Sequence, residues 1–82
     1  MEDQVTIEYC APCGFERQAV QLADEIKDQF SGRISQVILK SNQSIGCFEV
    51  SLGQERIFSK MDSGHLPHPG EIVQLIIMRL IK

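Results

Sequence analysis

The 82-residue chain is poor in basic residues and has no long hydrophobic run. Its 8 Lys and Arg against 11 Asp and Glu give a formal net charge of -3, so no basic stripe is available for the phosphates of a nucleic acid. The longest apolar runs, residues 37–39 and 75–78, are three and four residues long, far below the roughly 20 of a transmembrane helix. We therefore expect neither nucleic acid nor a membrane as a partner.

Cysteine is also scarce. Three cysteines are an odd number and too few for the disulfide framework of a small secreted domain. Residues 1–4 include two acids where a secretory signal peptide would be basic. Both observations predict a cytoplasmic protein in which Cys10, Cys13 and Cys47 are reactive, metal-binding or simply buried.

What the chain does have is enough apolar material for one core. Hydrophobic residues make up 43% of the sequence, which argues against disorder, and a chain of this length predicts a single domain over residues 1–82. Apolar spacing of two predicts strands, and spacing of three or four predicts helices. The predicted strands are residues 4–9, 33–40, 48–52 and 55–59. The predicted helices are residues 15–30 and 70–82, with Pro69 in the first turn of the second.

The segments between these elements contain turn-forming residues. Residues 41–44 and 53–54 are rich in Ser, Asn, Gln and Gly, which favour turns, and residues 60–68 are expected to form a loop. The element order is then strand, helix, strand, strand, strand, helix. This order predicts an α/β fold of the βαβββα kind, with a four-stranded mixed sheet and two helices.

Cys10-Ala11-Pro12-Cys13 stands between the first predicted strand and the first predicted helix. A CxxC at such a turn of a cytosolic βαβ unit is typical of a redox motif. Free N–H groups and the helix dipole would stabilise a thiolate there, and Pro12 lacks the N–H that a helix start leaves unpaired. We expect Cys10 and Cys13 to form a dithiol/disulfide couple. Structural cysteines and half of a zinc site are the alternatives.

Three parts of the sequence resemble the selenoprotein W, T and H group, or Rdx family, and together they cover nearly the whole chain. They are the strand-CxxC-helix opening, Gly46-Cys47-Phe48-Glu49-Val50, and Ile57-Phe58-Ser59-Lys60 followed by Gly64. The resemblance implies a small thioredoxin-like fold and a redox protein linked to glutathione. Its implied partners are protein thiols, protein disulfides or glutathione, without a bound cofactor.

The resemblance leaves two candidates for the attacking sulfur. In thioredoxin-like proteins the first cysteine lies at the exposed mouth of the turn and the second is covered by the helix, which favours Cys10. Members of the Rdx family often carry selenocysteine at the second position, which favours Cys13. We favour Cys10 for disulfide substrates.

A thioredoxin-like strand order of second, first, third, fourth predicts the neighbours of this couple. The third strand would run antiparallel to the first, which brings Gly46 and Cys47 beside Cys10. The same order brings Lys60, Ser63 and His65 to that edge, where Lys60 or His65 could favour a thiolate.

The sequence has three prolines, Pro12, Pro67 and Pro69, and none stands where thioredoxins carry a cis-proline opposite the motif. Gly46 could instead pair with a substrate backbone, because a missing side chain permits close approach.

Several alternatives remain open. Cys47 is either a buried small hydrophobe or a third redox thiol that accepts glutathione. Cys10, Cys13, His65 and His68 would supply a zinc set of two sulfurs and two nitrogens, but two residues between the histidines is tighter than usual, and we expect no metal.

The two helices would also leave one sheet face uncovered, open to a homodimer or a protein client. The alternative to a redox protein is a non-catalytic binding module that is switched by its thiol pair or holds metal.

Overall fold

The structure is a computed structural model and describes residues 3–68 and 70–80. Its elements in chain order are β1 (Asp3–Cys10), α1 (Glu16–Gln29), β2 (Ile34–Asn42), β3 (Phe48–Leu52), β4 (Glu55–Ser59), α2 (Lys60–Ser63) and α3 (Glu71–Leu80).

The four strands form one mixed sheet in the order β2-β1-β3-β4. β1 pairs parallel with β2 and antiparallel with β3, and β3 pairs antiparallel with β4. Parallel neighbours need a long crossover, and α1 provides it, whereas the two residues 53–54 suffice for the β3–β4 hairpin. The predicted α/β fold, the mixed sheet and the strand order are confirmed.

The core lies between one face of the sheet and the two long helices. Alternate residues of β1 (Val5, Ile7 and Tyr9) are buried on this face, because successive side chains of a strand point to opposite sides. They belong to one cluster with residues of α1 and α3. The buried helix residues are Ala19, Leu22, Ala23, Ile26, Ile72 and Ile76.

The other face of the sheet is polar. Thr6 pairs with Ser51 and Glu8 with Glu49 across β1 and β3, and all four residues are half-buried. The short helix α2 contacts β3 and β4. A homodimer or a client on this face stays a prediction, and any such partner would meet polar and acidic side chains.

Two elements differ from the sequence predictions. Residues 60–63, predicted as loop, form the single turn α2, which ends where Gly64 adopts a φ of 83° and its N–H donates to the Lys60 carbonyl. β2 runs on through Ser41 and Asn42, predicted as a turn, because Asn42 pairs with Cys10 of β1. The predicted role of Pro69 and the predicted end of the last helix at residues 81 and 82 lie outside the described residues.

Candidate functional site

The CxxC motif begins on the central strand and is held there from both sides. Cys10 is the last residue of β1, and its N–H donates to the Cys47 carbonyl at 2.9 Å. The N–H of Ala11 donates to the Asn42 carbonyl, also at 2.9 Å. Backbone carbonyls of β2 and of the residue before β3 therefore fix the position of Cys10, whose side chain is fully buried.

A turn over residues 11–15 separates the motif from α1. Gly14 has a φ of 79°, which a right-handed helix cannot contain, and its N–H donates to the Ala11 carbonyl at 3.1 Å. The helix begins only at Glu16. The predicted placement of Pro12 in the first helical turn is therefore wrong, and Cys13 lies three residues before the helix.

Cys10 and Cys13 form a disulfide with their Cα atoms 5.3 Å apart, which confirms that the two residues can be a couple. Cys13 is partly exposed, whereas Cys10 is not exposed at all. The expectation that Cys10 lies at the exposed mouth and Cys13 is covered by the helix is therefore wrong. The reason is that Cys10 is still a sheet residue, while Cys13 lies in the turn beyond the sheet.

Each sulfur of the disulfide accepts a backbone hydrogen bond. The N–H of Cys13 donates to Sγ of Cys10 at 3.2 Å, and the N–H of Gly46 donates to Sγ of Cys13 at 3.1 Å. Donors of this kind favour the charged form of a sulfur once the disulfide is reduced. Gly46 has a φ of 82° and directs its N–H at the motif; its pairing with a substrate backbone stays a prediction.

Cys47 lies next to the couple through its backbone, but its thiol is protected. Its side chain is 8% exposed. Burial raises the pKa of the Cys47 thiol, and the nearby carboxylates of Glu8 and Glu49 raise it further. The predicted proximity to Cys10 is confirmed, and the thiol is held in its neutral form.

A polar cluster that no sequence pattern singled out surrounds Cys47. Asn42 donates to Glu8, and Glu49 accepts hydrogen bonds of 2.9 Å from both Arg56 and Ser59. Strand pairing brings these residues together. The only sign of them in the sequence was the alternation of polar and apolar residues along β1 and β3.

A shallow groove runs beside Cys47 and this polar cluster. It is lined by Ile45 and Met61, among other residues, and these two apolar side chains are 76% and 75% exposed. Ile45 directly precedes Gly46, so the groove begins one residue from the donor to the Cys13 sulfur.

The three residues predicted on the loop after β4 are divided by the structure. Lys60 Nζ lies 6.0 Å from the ring centre of Phe15, which stands at the start of α1, so Lys60 reaches the motif side. Ser63 instead bonds to the backbone of His65, and the His65 ring lies against Phe58. In the described part of the chain, residues 3–68 and 70–80, Ser63 and His65 contact this loop and β4 and form no hydrogen bond with the disulfide.

The alternative zinc set of two cysteines and two histidines does not assemble. Cys10 and Cys13 are bonded to each other. Within residues 3–68 and 70–80, the side chains close enough to share a metal ion are His65, His68 and Glu71.

No helix among the described residues has the length and apolar character to cross a membrane.

Comparison with curated proteins yields several relatives. The chain is 32% identical over 74 residues to Migration and invasion enhancer 1 of Bos taurus, which covers 89% of this chain and 61% of that protein. It is 45% identical over 47 residues to the thioredoxin reductase-like selenoprotein T homolog selt-1.1 of Caenorhabditis elegans, covering 57% of this chain and 19% of that protein. The chain thus spans about three fifths of the first relative.

Solved structures share the fold along almost the entire chain. A Bordetella parapertussis protein superposes with a TM-score of 0.92 at 20% identity, covering 98% of this chain and 100% of that one. A selenoprotein W-related protein from Vibrio cholerae superposes with a TM-score of 0.88 at 25% identity, covering 94% and 95%. The sequence profile of the Rdx family matches residues 4–77. The chain, with its CxxC disulfide at the end of the central strand, belongs to the Rdx family.

Proposed function

We propose that this protein is a thiol-disulfide redox protein whose Cys10 and Cys13 cycle between dithiol and disulfide. The observation that carries the proposal is the Cys10–Cys13 disulfide, in which each sulfur accepts a backbone N–H. The same donors would stabilise the thiolates of the reduced form, and a thiolate is the species that reacts. Membership of the Rdx family supports the assignment.

The sulfur that meets the substrate is that of Cys13. It is partly exposed, and the N–H of Gly46 faces it, whereas Cys10 is fully buried. In the reduced protein the Cys13 thiolate attacks one sulfur of a substrate disulfide. The substrate S–S bond breaks, and its other sulfur leaves as a thiolate that takes up a proton.

Cys10 then completes the cycle. Its thiolate attacks the Cys13 sulfur of the mixed disulfide, which forms the Cys10–Cys13 bond and releases the second substrate thiol. Two electrons have passed from the protein to the substrate, and a thiol donor such as glutathione returns them by the reverse exchange. Protein disulfides and glutathione are the proposed partners, and the cytoplasm is the proposed compartment.

The couple can be tested by trapping the mixed disulfide with oxidised glutathione in a Cys47→Ser background. Cys10→Ser leaves Cys13 free and should accumulate one glutathione adduct, detected by mass spectrometry of the intact protein. Cys13→Ser should react much more slowly, because the remaining sulfur is buried. An adduct that forms readily on Cys13→Ser and not on Cys10→Ser would show that Cys10 is the nucleophile.

Repeated turnover separates a catalyst from a redox-switched binding module. A catalyst should reduce a model disulfide many times with excess glutathione as the donor, whereas a switch changes once per oxidation. The Cys10–Cys13 reduction potential against glutathione then gives the direction of electron flow, since 30 mV corresponds to about 1.4 kcal/mol for a two-electron couple.

A further inference from the structure

Three metal-binding side chains converge where the chain enters α3. His65, His68 and Glu71 each offer one ligand atom, and these atoms lie within 4.8 Å of one another. The three residues follow one another at a spacing of three in the sequence. The cluster is separate from the redox couple, whose sulfurs are bonded to each other.

One ring nitrogen of His65 is engaged by the backbone, which leaves the other for a metal. Its Nδ1 lies 2.6 Å from the Leu66 carbonyl oxygen. A carbonyl can only accept, so this hydrogen bond requires the proton on Nδ1, and in the neutral ring Nε2 then has a free lone pair. Metal-binding histidines characteristically use their second nitrogen in this way. The half-buried ring also lies against Phe58, with 6.0 Å between ring centres.

The other two side chains lie against each other and against His65. The His68 and His65 rings stack with their centres 4.6 Å apart and their planes 29° apart, so the exposed His68 ring must rotate for both rings to point a nitrogen at one ion. The N–H of His68 donates to Oε1 of Glu71 at 2.9 Å, and the N–H of Glu71 donates to the His68 carbonyl at 3.0 Å. This reciprocal pair engages Oε1 of Glu71, and it holds His68 and Glu71 together where α3 starts.

We propose that His65, His68 and Glu71 bind a divalent transition metal, with Zn²⁺ as the ion that this donor set fits. Two imidazole nitrogens and one carboxylate are a recognised zinc set that leaves a fourth position for water, whereas Mg²⁺ and Ca²⁺ require mainly oxygen ligands. The Glu71 carboxylate offsets the positive end of the α3 dipole, which would otherwise oppose a cation. The bound ion would tie the segment after α2 to the start of α3.

The test is calorimetric titration of Zn²⁺ into the oxidised protein, in which the Cys10–Cys13 sulfurs cannot act as thiolate ligands. One equivalent should bind, and the ring nitrogens of both histidines should shift in nitrogen-detected NMR spectra. His68→Gln and Glu71→Gln should each weaken binding at least tenfold. His68 is exposed, and a glutamine at position 71 can still accept the His68 N–H, so both variants should fold.

Asp62→Asn is the matched control, since this exposed carboxylate lines a groove with Glu71 but is not one of the three ligands. Its affinity for Zn²⁺ should equal that of the unmodified protein. The proposal is overturned if the oxidised protein fails to bind Zn²⁺ at millimolar concentration, or if His68→Gln and Glu71→Gln bind as tightly as the control. Binding that requires reduction of the disulfide would also overturn it, because the metal would then be on the cysteines.

Discussion

The two sulfurs of the couple have unequal surroundings, although they are three residues apart. Cys10 ends a central strand and is fully buried, while Cys13 lies in a turn and is partly exposed. Burial without a compensating charge disfavours a thiolate. Cys13 combines access with a hydrogen bond from Gly46, and for this reason it is the sulfur that we propose as the nucleophile.

Gly46 is the residue whose change should alter the chemistry without touching a sulfur. Gly46→Ala places a side chain at a φ of 82° and should cost about 1–2 kcal/mol. Relaxation of this strain would turn the N–H away from the Cys13 sulfur. With this hydrogen bond lost, we expect slower alkylation of Cys13 at pH 7, measured on reduced protein carrying Cys10→Ser and Cys47→Ser.

Gly53→Ala is the matched control for Gly46→Ala. Gly53 also has a positive φ, 62°, and open space where a Cβ would lie, but it belongs to the β3–β4 turn. Gly53→Ala should lower the urea midpoint by a similar amount while leaving the alkylation rate of Cys13 unchanged. Equal alkylation rates in the two variants would show that the Gly46 N–H has no part in thiolate stabilisation.

Cys47 should be the least reactive thiol of the protein. Its pKa is raised by burial and by the carboxylates of Glu8 and Glu49, so the neutral thiol persists to higher pH than in an exposed cysteine. In a Cys10→Ser, Cys13→Ser variant, alkylation by iodoacetamide should be slow at pH 7 to 8 and accelerate only in more alkaline solution. Unfolding in urea should remove the protection. Rapid alkylation at pH 7 in the folded state would contradict this assignment.

Among the elements, the segment before β3 contributes more to the site than α1 does. The helix starts three residues after Cys13, beyond the left-handed Gly14, and a helix dipole acts mainly within its first turn. The donor to the Cys13 sulfur comes instead from residue 46, and the Cys47 carbonyl holds the Cys10 N–H. A site first attributed to a helix terminus is completed by a loop.

Two residues of α3, Ile72 and Ile76, are fully buried in the core, so the attachment of this helix can be tested by single substitutions. Ile76 is fully buried, whereas Met78 on the same helix is exposed. Ile76→Ala should lower the free energy of unfolding by about 2–5 kcal/mol, and Met78→Ala should change it by less than about 0.5 kcal/mol. Urea denaturation followed by circular dichroism measures both.

Ile76→Val provides a milder substitution if Ile76→Ala does not fold, with an expected loss of about 0.5–1.5 kcal/mol. Equal losses for Ile76→Val and Met78→Ala would show that α3 does not depend on this contact.

The redox state of the Cys10–Cys13 couple should change the free energy of unfolding of the whole molecule. A disulfide restricts the unfolded chain, and for the four-residue loop from Cys10 to Cys13 the chain-entropy relation gives about 2 kcal/mol. The oxidised protein should therefore unfold at a higher urea concentration than the reduced protein. A Cys10→Ser, Cys13→Ser variant is the control, and its urea midpoint should not respond to dithiothreitol. A reduced protein as stable as the oxidised one would mean that native-state interactions of the free thiols offset the chain entropy.

The polar side chains on the sheet face away from the helices limit which assemblies can form there. Thr6, Glu8, Glu49 and Ser51 lie there, and Glu49 already bonds to Arg56 and Ser59. A homodimer through this face would place carboxylates of the two copies close together. Their repulsion would oppose association, and salt would screen it. The homodimer and the protein client remain predictions.

The amino-acid sequence by itself determined the order of the elements, the buried face of the central strand and the two cysteines of the couple. These depend on apolar periodicity and on spacing along the chain, which are local properties. The sequence pattern did not predict the length of β2, because strand pairing overrides the turn preference of Asn42. It did not predict α2 either, because that helix is only one turn long.

Tertiary structure alone decided which cysteine is exposed, which N–H meets the Cys13 sulfur, and which side chains join the histidines. Gly46 and Cys13 are 33 residues apart, and Glu71 reaches His68 only because the chain turns into α3 there. Strand order indicated which loops meet but not where an N–H points or which sulfur is covered. Those properties depend on distances of a few ångströms set by packing of the whole sheet, and no local pattern of residues encodes them.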